Sequence, residues 1–274
     1  MPGALHPRDR FVTVQGLRLR YRDWGGEGRP LLALHGAAAH AHWWDPVAPY
    51  LAPHLRVLAL DWRGHGRSEW PRPPAYGSED FAAELLGVID ALHLTDVVVA
   101  AHSMGGHNAM AFAAWHPGRL ARLVIVDARP HVNYERLRAL QRRAPRPQTE
   151  FPTLSAALAR FRLRPSETTA PAALLREIAR HSVMRLPSGR WRYRFDPACE
   201  QTRMPVDCWP LLPRISSPTL VVRGEYSTIL EREVGRRMAK TIPSATLEEI
   251  PGAHHHVTFD APRALADCIL AWLS

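Results

Sequence analysis

Short apolar runs rich in β-branched residues recur along this chain, and helix-like stretches separate them. Leu31–His35, Val57–Asp61, Val97–Ala101, Leu123–Asp127, Thr219–Arg223 and Thr246–Ile250 read as successive buried strands. A near-continuous apolar run of this length suits a strand covered on both faces, as in a parallel sheet with helices on either side. Glu79–Leu92 and Gly105–His116 supply such helices; Phe81, Leu85, Val88, Ile89 and Leu92 share one face of the first. Phe11–Val14 and Leu17–Trp24 read as an opening hairpin around Gly16, and Arg263–Leu273 as a closing amphipathic helix. The pattern predicts an α/β fold, a mostly parallel eight-stranded sheet flanked by helices.

One segment breaks the alternation. From His131 to Pro210 no strong buried strand appears, prolines are frequent and the periodicity is helical. Tyr134–Arg143, Leu154–Leu163 and Pro171–Met184 read as helices, followed by an aromatic stretch, Trp191–Phe195. The expected organisation is a core in two parts, 1–130 and 211–274, interrupted by a helical lid over 131–210. A chain of 274 residues accommodates one core domain with such an insertion.

Composition excludes several classes. No run of about 18 apolar residues is present, so no membrane-spanning helix is expected. The opening segment Met1–Arg10 lacks the apolar run of a secretory signal. Cys199, Cys208 and Cys268 form no CxxC pair and leave an odd count, against a disulfide framework or structural zinc. A cytoplasmic location is expected. The net charge of +9 is concentrated: residues 129–194 hold 15 arginines against four glutamates, leaving the remainder at −2. That placement argues against nucleic acid as a partner, since the basic segment carries no recognition motif. It favours a small-molecule substrate, with long-range attraction for anionic ones. The sequence leaves the oligomeric state open.

The strongest chemical signal is Val97–Gly106, where an apolar strand runs into His102-Ser103-Met104-Gly105-Gly106 and a helix begins at once. A nucleophilic serine needs its oxygen exposed at a strand end on a sharp turn flanked by small residues. The GxSxG form is modified here, with Ala101 in place of the first glycine. A second strand ends in His35-Gly36-Ala37, and a backbone N–H beyond that glycine, with the N–H of Met104, would suit an oxyanion hole. Trp43 and Trp44 follow this loop and, with His35, are candidates for substrate contact. A third strand leads into His254-His255-His256, the place for a general base. Consecutive histidines on an extended loop point in different directions and no matching ligand cluster occurs elsewhere, so no metal is expected.

With these motifs go Asp61-Trp62-Arg63-Gly64-His65-Gly66-Arg67-Ser68 and Pro218–Glu225, and together they resemble the α/β-hydrolase superfamily. The resemblance is to its lidded branch of bacterial esterases and carbon–carbon bond hydrolases, and covers both ends of the chain. It implies Ser103 as nucleophile and His255 as base, with His254 and His256 in packing or loop roles. It implies no cofactor. The departure is at the acid: where the family usually places an aspartate after Gly224-Glu225, this chain has Ser227 and Thr228. Asp127, at the end of the strand after the nucleophile's helix, keeps the order Ser…Asp…His and is the leading candidate; Glu225 is the other. The implied activity is serine hydrolysis of a carboxylic ester or thioester, carboxylesterase-like. Carbon–carbon bond hydrolysis of a dioxo acid and non-catalytic ligand binding are the alternatives.

Overall fold

A computed structural model of the protein describes residues 6–142 and 148–274. One sheet contains β1 (Arg8–Val14), β2 (Leu17–Asp23), β3 (Pro30–Leu34), β4 (Arg56–Leu60), β5 (Val98–His102), β6 (Arg122–Val126), β9 (Thr219–Gly224) and β10 (Ala245–Ile250). Its order is β1-β2-β4-β3-β5-β6-β9-β10, and from β4 onward every neighbouring pair is parallel. Six strand ends therefore meet at one edge, where the loops after β4, β3, β5, β6, β9 and β10 begin.

Both faces of β3, β4, β5, β6 and β9 are covered, which explains their unbroken apolar runs, whereas β10, expected as a buried strand, lies at the sheet edge with Ile250 alone buried. On β5, Val99 and Ala101 face the helices α2 (Ser78–Ala91) and α3 (Met104–Trp115), packing with Phe81, Leu85 and Phe112. Val98 and Ala100 face the other side, with Leu51 of α1 (Ala48–Leu51) and Leu265 and Ile269 of α10 (Pro262–Leu273). The remaining core helices are α8 (Arg232–Thr241) and α9 (Val257–Asp260).

Between β6 and β9 lie α4 (Tyr134–Gln141), α5 (Leu154–Ala159), α6 (Ala172–His181), the hairpin β7 (Val183–Arg185) and β8 (Trp191–Tyr193), and α7 (Ala198–Thr202). Arg143, the last residue of the first expected helix, falls outside the described residues. The sequence periodicity did not disclose the hairpin. Its strands are three residues each and half-buried, too short to show a period, and Trp191 and Tyr193 gain their cover from Phe151 and Val183. The helix expected through Met184 stops at His181 because β-branched Val183 enters this hairpin.

Asp196 fastens the insertion to the core. It is 2% exposed; its carboxylate accepts from the Tyr76 hydroxyl at 2.8 Å and from Arg72 at 2.7 Å, and its N–H donates to Gly64 O at 2.7 Å. A buried carboxylate is tolerated only with such donors, and removing it strands the Tyr76 hydroxyl. Asp196→Ala should cost about 2 kcal/mol, lowering Tm by roughly 4–8 °C, and should increase proteolysis within the insertion. An unchanged Tm and cleavage pattern would show that the anchor lies elsewhere.

Candidate active site

β5 delivers Ser103 at φ 53° and ψ −118°, in the left-handed region that non-glycine residues avoid. The turn is held by Ser103 N–H donating to Val126 O at 3.0 Å and by His107 N–H reaching Ser103 O at 2.9 Å. The two glycines that follow are demanded by close approach: a Cβ on Gly105 would lie 2.7 Å from His35 O, and one on Gly106 2.6 Å from Ala128 Cβ. Ala101 is fully buried in the strand and the turn forms with it in place.

The Ser103 hydroxyl lies 3.1 Å from His255 Nε2, and His255 Nδ1 lies 2.8 Å from Asp127 Oδ1. Asp127 follows β6 directly, at φ 46°, its N–H bonded to Val222 O at 2.7 Å. Its carboxylate accepts two further bonds, from Ser227 Oγ at 2.6 Å to Oδ1 and from Gly224 N at 2.9 Å to Oδ2. Ser227 is itself oriented, since Ile229 and Leu230 N–H donate to its oxygen at 3.1 and 3.2 Å. Ser227 therefore serves the carboxylate that sequence comparison would have sought at its own position. Glu225, the other candidate acid, accepts from Gly252 N at 2.8 Å, with no bond to His255 among the described residues.

Burial sets the protonation states. It pushes Asp127 up to about 6, against the hydrogen bonds from Ser227 and Gly224 that favour the carboxylate. It pushes His255 down, with His256 and Arg129 adding to the effect. At pH 7 the carboxylate accepts Nδ1–H, and the neutral imidazole turns its Nε2 lone pair to the Ser103 hydroxyl.

Ala37 and Met104 line one small cavity of about 120 Å³ beside Phe195. Met104 opens α3, so its N–H has no acceptor within the helix. A larger cavity of about 560 Å³ meets it at Ala37 and Ala38 and is lined by Trp43, Arg160, Arg162, Arg164 and Arg194. Two sequence candidates fall outside both cavities. Trp44 is 1% exposed and packs beneath the sheet edge with Leu51 and Val57. His35 is fully buried, donating Nδ1–H to Gly36 O at 2.7 Å and accepting Trp62 N–H at 3.1 Å, so no ring nitrogen is left for a ligand. The histidine loop also has a partner that the sequence did not suggest: His102, His255 and His256 each place a ring nitrogen within 4.8 Å of the others. In the sequence His102 reads only as the residue before Ser103.

The profile of the α/β-hydrolase fold matches residues 29–262. The chain belongs to the α/β-hydrolase family. It is 27% identical over 259 residues to a 2-(acetamidomethylene)succinate hydrolase of Mesorhizobium japonicum, covering 94% of this chain and 92% of that protein. It is 28% identical over 279 residues to esterase Rv0045c of Mycobacterium tuberculosis, covering 97% and 90%. A crystal structure of E-2-(acetamidomethylene)succinate hydrolase superposes with a TM-score of 0.84 at 25% identity, over 98% of this chain and 99% of that one. A 2-hydroxy-6-oxo-2,4-heptadienoate hydrolase of Pseudomonas putida is 37% identical over 123 residues, 43% of this chain and 44% of that protein. Hydrolase activity is thus the common property of these relatives.

Carboxyl titration by carbon NMR should find Asp127 near 6, and Ser227→Ala should move it higher. The sign follows from the hydrogen bond, which stabilises the ionised form; losing it favours the protonated one. A downward shift, or none, would mean that Ser227 does not support the carboxylate.

Proposed function

We propose that the chain is a serine hydrolase acting on carboxylic esters or thioesters through an acyl-enzyme. The observation that carries this reading is the unbroken chain of hydrogen bonds from Ser103 through His255 to Asp127. Ser103 Oγ attacks the carbonyl carbon while its proton passes to His255 Nε2. The imidazolium that forms is stabilised by Asp127, which also fixes the ring and its tautomer. The N–H groups of Ala37 and Met104 receive the developing oxyanion, in the small cavity that both line. The alcohol or thiol leaves with the proton from His255, and water, deprotonated by the same nitrogen, releases the acid.

The insertion acts as a lid over 131–210, and the cavity arginines favour a substrate with a carboxylate or another anionic group. Among the described residues, Arg160, Arg162, Arg164 and Arg194 form no ion pair. The succinate named for the Mesorhizobium relative is an acid of this kind. Carbon–carbon hydrolysis of a dioxo acid is the second reading, favoured by the partial similarity to the Pseudomonas hydrolase. The non-catalytic reading required an acid turned away from His255, which the 2.8 Å Asp127 contact opposes.

Short p-nitrophenyl esters test the chemistry. Ser103→Ala should fall to background and Asp127→Asn should lose about 10⁴-fold in kcat. Wild-type turnover no faster than Ser103→Ala would end the hydrolase reading; full activity in Asp127→Asn would end only the assignment of the acid. A dioxo acid assayed in parallel distinguishes the second reading.

Salt tests the substrate class. For an anionic ester, kcat/KM should fall with added sodium chloride much more steeply than for a neutral ester of equal size. Equal salt responses would remove the anionic preference.

A further inference from the structure

Hydrolysis uses one of the three histidines in His254–His256, and the arrangement around the other rings follows a pattern of its own. His255 donates Nδ1–H to Asp127 at 2.8 Å. His256 donates Nε2–H to Pro165 O at 2.8 Å, and His102 donates Nε2–H to His255 O at 3.0 Å. Each imidazole commits one N–H to an oxygen and keeps a lone pair on its other nitrogen. Two of these lone pairs, on His102 Nδ1 and His256 Nδ1, are buried and receive no hydrogen bond. Leaving such a group without a partner is costly. The third lone pair, on His255 Nε2, faces the Ser103 hydroxyl.

Imidazoles that bind a metal through one nitrogen and donate the other N–H to a carboxylate or backbone carbonyl are the recurrent arrangement of metal-bound histidine. Three such rings with one position left open are a donor set for zinc and neighbouring divalent transition metals. The three rings here have a nitrogen apiece within 4.8 Å of one another, and all three side chains are buried. Nitrogens sharing one zinc at about 2.0–2.1 Å lie roughly 3.4 Å apart, so a contraction of at most about 1.4 Å completes the site. His102 Nδ1 borders the nucleophile: the position a Cβ on Gly36 would take is 3.2 Å from it and 3.5 Å from Ser103 Oγ. Burial, the rings' mutual repulsion and Arg129 disfavour positive charge on the cluster, and Asp127, Asp260 and Glu167 act the other way.

We propose that His102, His255 and His256 bind a divalent transition metal of the zinc class, and that occupancy switches off the hydrolysis proposed above. The metal takes the His255 lone pair that would otherwise accept the Ser103 proton. No bond is made or broken in the substrate; the base is withdrawn. Only the switch rests on the serine-hydrolase reading, whereas the binding does not.

The test uses the full chain, stripped with EDTA and dialysed, with zinc chloride as the probe. Calorimetry should give one zinc per chain at this site, and p-nitrophenyl acetate turnover should fall in step with occupancy and return with EDTA. His256→Gln keeps an N–H donor for Pro165 O but offers no imidazole. It should turn over within a few-fold of wild type, bind zinc at least about tenfold more weakly, and need a matching increase in zinc for inhibition. Cobalt should give an intense visible absorption in wild type that His256→Gln lacks. Equal zinc affinity in the two proteins would overturn the site, and full turnover at saturating zinc would overturn the switch. If the chain cleaves no ester at all, calorimetry and the cobalt spectrum still decide the site.

Discussion

The carboxylate of Asp127 is the point on which the site depends. It is fully buried, and an ionised group there would be costly without several donors. Its donors come from two separate stretches of chain: His255 after β10, and Gly224 with Ser227 at the end of β9 and in the loop that follows it. One charge thus fixes the relative positions of the loops that follow three neighbouring strands. This also accounts for the missing aspartate after Gly224-Glu225. The loop after β9 places no carboxylate on His255; with Gly224 it supplies the hydroxyl and N–H that favour the ionised form of Asp127.

The basic insertion and the near-neutral core differ in pairing as well as in count. Many core arginines are matched to carboxylates, as Arg20 is to Asp9 and Asp61, Arg22 to Asp45, Arg63 to Glu84 and Arg223 to Glu249. A matched pair projects little field beyond its own surroundings. Within the insertion, Arg190–Glu150 is the one such pair among the described residues. Arg162 and Arg194 donate instead to backbone carbonyls, of Ala159 and Phe161 and of Val183. A carbonyl leaves the guanidinium charge uncompensated. Crowding has a visible effect on Arg194, whose pKa is lowered by burial and by nearby Arg67 and Arg20. The sequence count of charges therefore understates the contrast between the two parts of the molecule.

Much of the site was legible because parallel topology converts sequence order into position. Once β5 is read as a strand ending in Ser103, the ends of β6 and β10 must lie at the same edge, and Asp127 and His255 follow. What stayed hidden depends on side-chain direction or on partners remote in sequence. Trp43 and Trp44 are adjacent on one short turn, yet the first lines a cavity and the second fills the core. Ser227 looks like the loss of a charge until its hydroxyl is found on Asp127. His102 looks like a filler in the serine motif until the strand brings it beside a loop 153 residues away. The β7–β8 hairpin is stabilised by Phe151, a contact that no local period could announce.

Ser103 and Asp127 share a further property: both stand at positive φ, at the ends of adjacent strands. A non-glycine residue held there costs of order 1–3 kcal/mol, less for aspartate, which tolerates this region better than most. Two such residues represent a substantial fraction of a net folding stability of about 5–15 kcal/mol. Glycine at either position would relieve the strain, but it would remove the hydroxyl or the carboxylate. The strain persists because the parallel pairings on both sides of β5 and β6, and the packed faces above and below, leave the two turns no alternative path. The covered sheet that the apolar runs dictate is thus also the device that aims the Ser103 hydroxyl and the Asp127 carboxylate.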